Sequence, residues 1–217
     1  MNDITSRARG GSAAAAGGLT APAIPLRTLR GEDRERRAVA EAWLSQAATS
    51  REAAGMEWTG QGVALLTAGI MWDAVRLPYA PLGADLDRDA DPDQLRRRLD
   101  ELRVNGPVFC DPYRPHLYVL VPPSTDRKWP RTLAPAGVEC LGGTRRYIHH
   151  VGVPRLDLIS PPGPYWVTLP DGTGHLADPQ HLFQVLRARG RGGEAGRDPE
   201  RTAGDHMSCN PPLGERP

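Results

Sequence analysis

The chain has 217 residues, with 27 basic and 26 acidic side chains and a formal net charge of +1, so no global field draws it toward nucleic acid or a membrane surface. Its apolar runs fall far short of the ~20 residues of a membrane span, and Ser12–Gly18 is too short and too weakly apolar for a signal-peptide core. Cys110, Cys140 and Cys209 show no CxxC spacing, which excludes a zinc framework and fits thiols in a reducing cytoplasm.

Residues 1–31 are rich in Gly, Ala, Ser and Thr without apolar periodicity, a composition expected to stay disordered because it cannot offset its ordering entropy. From Glu32 to Ser50 no Gly or Pro intervenes, and Val39, Trp43 and Gln46 recur at helical spacing, which predicts a helix of three to four turns. Its Arg34, Arg36 and Arg37 read better as a solvated face than as a phosphate-facing edge. Gly62–Leu66 and Ile70–Leu77 read as strands, and the short link Thr67-Ala68-Gly69 predicts a hairpin between them. Asp73 lies in the second strand. Arg76, three residues on, points to the opposite face, so the two are not expected to pair.

The acidic loop Asp85–Asp91 resembles a calcium loop in its alternation but lacks the Gly and the late Glu that such a loop needs. Asp91-Pro92 then supplies an N-cap and a first-turn proline, and Leu95, Leu99 and Leu102 form the apolar stripe of a helix to about Arg103. After Asn105-Gly106, the runs VFC and LYVLV flank the turn DPYRP as two further strands, with His116 opening the second. Trp129 beside Pro130 is either a platform for stacking a base or a cap on the core, the latter being commoner. Gly137–Leu141 and Arg146–Val151 read as strand, turn and strand around Gly142-Gly143-Thr144. Adjacent His149 and His150 face opposite sides of a strand, so only one of them could join His116 and Glu139 in a metal set; a water-exposed edge pair is the favoured reading. Tyr165–Leu169 is a last strand. Asp178-Pro179 opens a last helix through Leu182, Val185 and Leu186, and from Gly190 the composition again predicts a disordered tail.

Strands in hairpins outnumber helices, which predicts an α+β fold with a mixed, largely antiparallel sheet and flanking helices, in one domain over residues 32–189. The absence of a Walker loop, of GxGxxG and of GxSxG disfavours P-loop, Rossmann and serine-hydrolase chemistry.

The succession GVALLTAGIMWDAVRLP, a Leu-striped helix, GPVFCDPYRPHLYVLVPP, GVECLGGTRRYI and PYWVTLPDG before a last helix resembles the bifunctional DNA primase/polymerase N-terminal domain, in its short divergent actinobacterial version, over about residues 58–189. The resemblance implies a primase/polymerase-like fold and, in active members, two metal ions held by strand acids that clamp an in-line phosphoryl displacement. It implies an acid–x–acid pair where this chain has Arg76 and Pro78, a phosphate-contacting histidine at His116 and a further acid at Glu139. Arginine and proline cannot replace those ligands, so the expectation is a domain without polymerase activity and without a cofactor. Such a domain would bind nucleotide or nucleic-acid phosphate through Arg114, His116 and Arg145 or Arg146. One alternative is a protein-interaction module on a degenerate scaffold. The other is a residual enzyme using Asp73, His116 and Glu139 with one magnesium or manganese ion. No membrane partner is expected, and the expected location is the cytoplasm.

Overall fold

The computed structural model describes residues 26–130, 134–143 and 147–194, with side chains described from Gly31 to Arg189. It has an α+β fold: helices pack on both faces of an antiparallel sheet, and a separate two-stranded ribbon lies against one of them. Among the described residues, no helix is long and apolar enough to cross a membrane.

Helix α1 spans Leu26–Leu44 and runs into a single 3₁₀ turn at Ser45–Ala47. It starts well before Glu32, so its first residues are helical where the composition predicted disorder; residues 1–25 lie outside the described residues. Its buried stripe is Ala40, Trp43, Leu44 and Ala47, whereas Val39, expected on that stripe, is 49 % exposed. Helix α2, Arg51–Gln61, is not evident from periodicity, because Gly55 and Gly60 dilute its pattern. Its ends are well marked. Ser50 Oγ accepts the Ala53 amide at 3.2 Å, and Gly62 closes the helix in the left-handed conformation at φ 73°.

Strand β1 (Val63–Thr67) does not form a hairpin with β2 (Asp73–Leu77). It pairs antiparallel with β6 (His150–Pro154), from Val63 opposite Pro154 to Thr67 opposite His150. The second predicted hairpin also dissolves. Strand β5 (Glu139–Leu141) pairs with β2, and among the described residues a single isolated bridge, Gly143 to Ile148, joins the two predicted arms. Both expectations rested on short glycine-bearing links. The observed pairings instead let β1 bury Ala64 and Leu66 on one side, with Leu65 on the other.

The main sheet runs in the order β5-β2-β4-β3-β7, where β3 is Val108–Asp111, β4 is His116–Val121 and β7 is Tyr165–Thr168. Helix α3, Pro92–Glu101, links β2 to β3, and the one-turn helix α4, Thr125–Lys128, links β4 toward β5. The hairpin β3–β4 folds as its sequence predicts, with Val108 opposite Val119 and Asp111 opposite His116. Strand β4 inserts between β2 and β3, so β2-α3-β3-β4-α4-β5 has the split βαβ topology, with β7 added at one edge.

Period-two alternation gives the sheet two apolar faces. On one face Val75, Leu77, Val108, Leu117 and Val119 pack under Leu95 and Leu99 of α3. Leu182 and Leu186 of α5 (Pro179–Glu194) pack against the same core. Asp91 caps α3 by accepting the Asp93 amide at 2.8 Å, and Asp178 accepts the Gln180 amide at 2.8 Å at the start of α5. Helix α5 continues to Glu194, past the Gly190 boundary expected for a disordered tail. Trp129 belongs to this core. It is 6 % exposed and lies edge-on to Phe183 at 5.2 Å, so it is not a stacking platform.

On the opposite face Ala74, Phe109, Leu120, Leu141 and Trp166 pack against α1, α2 and the β1–β6 ribbon. Phe109 stacks on Tyr118 at 4.8 Å and meets Trp166 edge-on at 5.2 Å. Two indoles fasten the layers to β6: Trp58 Nε1 donates to Val153 O at 3.0 Å, and Trp166 Nε1 to Pro154 O at 2.9 Å.

Candidate functional site

The ribbon-facing side of the sheet is apolar for most of its length and turns polar at one end. Arg76 stands on β2 with Glu139 opposite it on β5 and Tyr118 opposite it on β4. Alternation puts His116 on the same face, one step further out, with Asp111 as its partner on β3. Arg76 Nη2 lies 2.5 Å from Glu139 Oε2, and the two side chains are 37 % and 53 % exposed. A solvent-screened pair of this kind adds only about 0–1 kcal/mol of stability. Its chemical consequence is larger, because a guanidinium already neutralises the carboxylate.

Asp111 shapes the turn that follows. Its Oδ1 accepts the amides of Tyr113 at 3.0 Å and Arg114 at 3.3 Å, an Asx turn that leaves Tyr113 and Arg114 exposed. His116 Nδ1 hydrogen-bonds the Arg114 carbonyl. That bond fixes the ring and makes Nε2 the nitrogen available to a ligand. Burial raises the Tyr118 phenol, and the nearby charges of Arg76, Asp111 and Arg114 act on it as well, so these side chains form one electrostatic group. The end of the sheet therefore presents a histidine nitrogen, an exposed guanidinium and a phenol beside an internally neutralised Arg–Glu pair.

Asp73 is not part of this group. It shares a parity with Val75 and Leu77, so it faces α3 and α5, and it pairs with Val121 at the other end of β4. Val121 and His116 are five residues apart, roughly 16 Å at ~3.3 Å per residue. A single centre built from Asp73, His116 and Glu139 is therefore corrected by the geometry: the three side chains do not converge. Arg145 and Arg146, expected beside His116, lie outside the described residues.

The histidine pair is also divided. His149 Nδ1 bonds the Gly142 carbonyl at 2.7 Å, whereas His150 sits exposed at the start of β6, in the ribbon rather than in the sheet that carries His116. Among the described residues, no three His, Cys, Asp or Glu side chains come together as a metal-ligating group. Cys110 and Cys140 are both buried. Burial first of all pushes the Cys110 thiol up to about 11, and it packs with Tyr79 and Tyr165, so it is not a ready nucleophile at neutral pH. A surface cavity of about 330 Å³ lies elsewhere, between α1 and the loop after β7, and is lined by Arg36, Arg37, Leu169 and Pro170 among others. Arg36 there is engaged by Glu32 and Asp33, as a solvated helix face would be.

Sequence reasoning missed Asp126, which is 3 % exposed and donates its amide to Asp73 Oδ2 at 2.8 Å. The run Ser124-Thr125-Asp126 could have signalled a helix start, but nothing local signals the burial of its carboxylate. Comparison with family models, curated proteins and solved structures finds no match to this chain.

Proposed function

We propose that the chain is a divergent primase/polymerase-like domain without polymerase activity that holds a nucleotide or nucleic-acid phosphate at the polar end of its sheet. Arg114 and His116 make the phosphate contacts, and Arg145 and Arg146 belong to the same reading. The observation that carries it is the Arg76–Glu139 pair at 2.5 Å. The resemblance would place metal-holding acids at Arg76 and Glu139; here a fixed organic cation takes the place of one of them and neutralises the other. Phosphate recognition by arginine, and by His116 when its ring is doubly protonated so that Nε2 also carries a donor, needs no metal.

Fluorescence anisotropy of a labelled single-stranded oligonucleotide, titrated with the full chain at low salt, tests the reading. Saturable binding is expected that weakens with added salt. Arg114→Ala should weaken it about ten-fold, the weight of one charge-assisted contact. Absence of binding at every salt concentration would overturn the proposal. It would also favour the interaction-module reading, whose own support is the exposure of Ile70 and Ile148, at 53 % and 68 %.

A further inference from the structure

Two carboxylates that the nucleotide reading does not use lie buried together on the α3–α5 side of the sheet. Asp73, the first residue of β2, is 0 % exposed, and Asp126 of α4 is 3 % exposed. Asp73 Oδ2 accepts the Asp126 amide at 2.8 Å, and the nearby Ser124 backbone also favours the ionised Asp73 carboxyl. Among the described residues, Asp73 Oδ1 and both carboxylate oxygens of Asp126 have no hydrogen-bond partner, and the two carboxyl groups lie side by side against Gly142. With both ionised, neither carboxyl carries a hydrogen to donate, so no bond can form between them. A single proton creates that bond and satisfies at least one of the orphaned oxygens.

Space decides which cation suits the pair. A Cβ on Gly142 would lie 2.6 Å from Asp126 Cγ and 2.7 Å from Asp73 Oδ2, so the Gly142 backbone closes over both carboxyls. A hydrated metal ion, which gives up its waters reluctantly, has no room there; a proton needs none.

Among the described residues, the neighbouring charges are engaged elsewhere. On α4, Arg127 Nη2 donates to Gly143 O at 3.4 Å and Lys128 is exposed. Behind Gly142, His149 bonds the Gly142 carbonyl rather than either carboxylate. On β2, Arg76 points to the other face, and the residue opposite Asp73 on β4 is Val121. Burial first, and the charge of Asp126 with it, raises the Asp73 carboxyl to about 6 against the lowering effect of the Asp126 and Ser124 backbone.

We propose that Asp73 and Asp126 form a proton-binding site that clasps α4 to the sheet, and that α4 loosens when the shared proton is lost. The site stands apart from the nucleotide reading and would survive its failure. The sign follows from linkage. The folded state holds this proton more tightly than the unfolded chain, so stability from the clasp is present at low pH. It declines as pH rises from about 4 through about 6.

Hydrogen exchange of the amides of residues 124–129 in the full chain, corrected for intrinsic rates, reads the clasp directly. Their protection is expected to fall as pH rises from 5 to 8. In Asp126→Asn, which keeps the size and supplies a permanent amide donor, protection should be independent of pH and at least ten-fold higher than wild type at pH 8. The Asp73 carboxyl carbon, followed by NMR in the wild-type chain, should titrate near 6, which keeps the test decisive if the variant does not fold. A wild-type Asp73 titrating near 4 would overturn the proposal. So would protection of residues 124–129 that does not change with pH.

Discussion

Trp166→Ala is expected to lower the unfolding free energy by about 3–5 kcal/mol, the usual cost of emptying a large aromatic site in a packed core. Trp166 is fully buried at the meeting point of three layers. Its ring meets Phe109 edge-on at 5.2 Å on the sheet, and its Nε1 donates to Pro154 O at 2.9 Å on the ribbon. The deletion leaves a cavity and also an unpaired carbonyl at the end of β6, so the ribbon should lose its anchor to β7. Urea denaturation followed by far-UV circular dichroism checks this through the midpoint, which should fall sharply with little change in slope. Trp166→Phe keeps most of the volume and loses the hydrogen bond, so its cost should be clearly smaller. Equal costs for the two variants would mean that packing at this position contributes little.

Gly69→Ala should be comparably damaging for a different reason. Gly69 sits at φ 93° in the turn between β1 and β2, where an L side chain is strained. A Cβ there would lie 2.2 Å from Gly143 N and 2.4 Å from its Cα, both of them backbone atoms that no rotamer change can move aside. Strain and displacement together imply a loss of roughly 3 kcal/mol or more. Gly143 adjoins Gly142, which closes over Asp73 and Asp126, so the damage should reach the carboxyl pair. Hydrogen exchange in the variant is therefore expected to show lost protection around residues 124–129 in addition to the turn itself. A Gly69→Ala chain with wild-type stability would mean that the approach of these two backbone segments is looser than the structure has it.

These two sites lie where the sequence is least readable. Helix α3 is plain from local chemistry alone, because Asp91 caps it, Pro92 suits its first turn and Leu95 and Leu99 repeat on one face. The β3–β4 hairpin is plain for a similar reason: two apolar runs flank a turn that Asp111 organises. Strand pairing is different. Thr67-Ala68-Gly69 and Gly142-Gly143-Thr144 both look like hairpin links, yet β1 pairs with β6 and β2 with β4 and β5. Register and partner follow from which face each strand buries, and that is decided by elements distant in the chain.

The same distinction applies to the charged residues. The offset of three between Asp73 and Arg76 correctly puts them on opposite faces, since alternation is a local rule. The sequence alone does not pair Arg76 with Glu139, 63 residues away, or bury Asp126 against Asp73, 53 residues away. Once the long-range pairings are in place, Arg76, Tyr118, His116 and Glu139 share one face, and Asp73 joins a different group at the opposite end of the sheet.

The central functional claim is that the polar end of the sheet takes a phosphate without the help of a metal. Its most direct test is a titration of the full chain with a fluorescent nucleoside triphosphate, with and without manganese, in wild type and in His116→Ala. Saturable binding of the same strength is expected in both conditions, weakened about ten-fold or more in His116→Ala. Binding that requires manganese, or template-dependent extension of a primer in its presence, would contradict it.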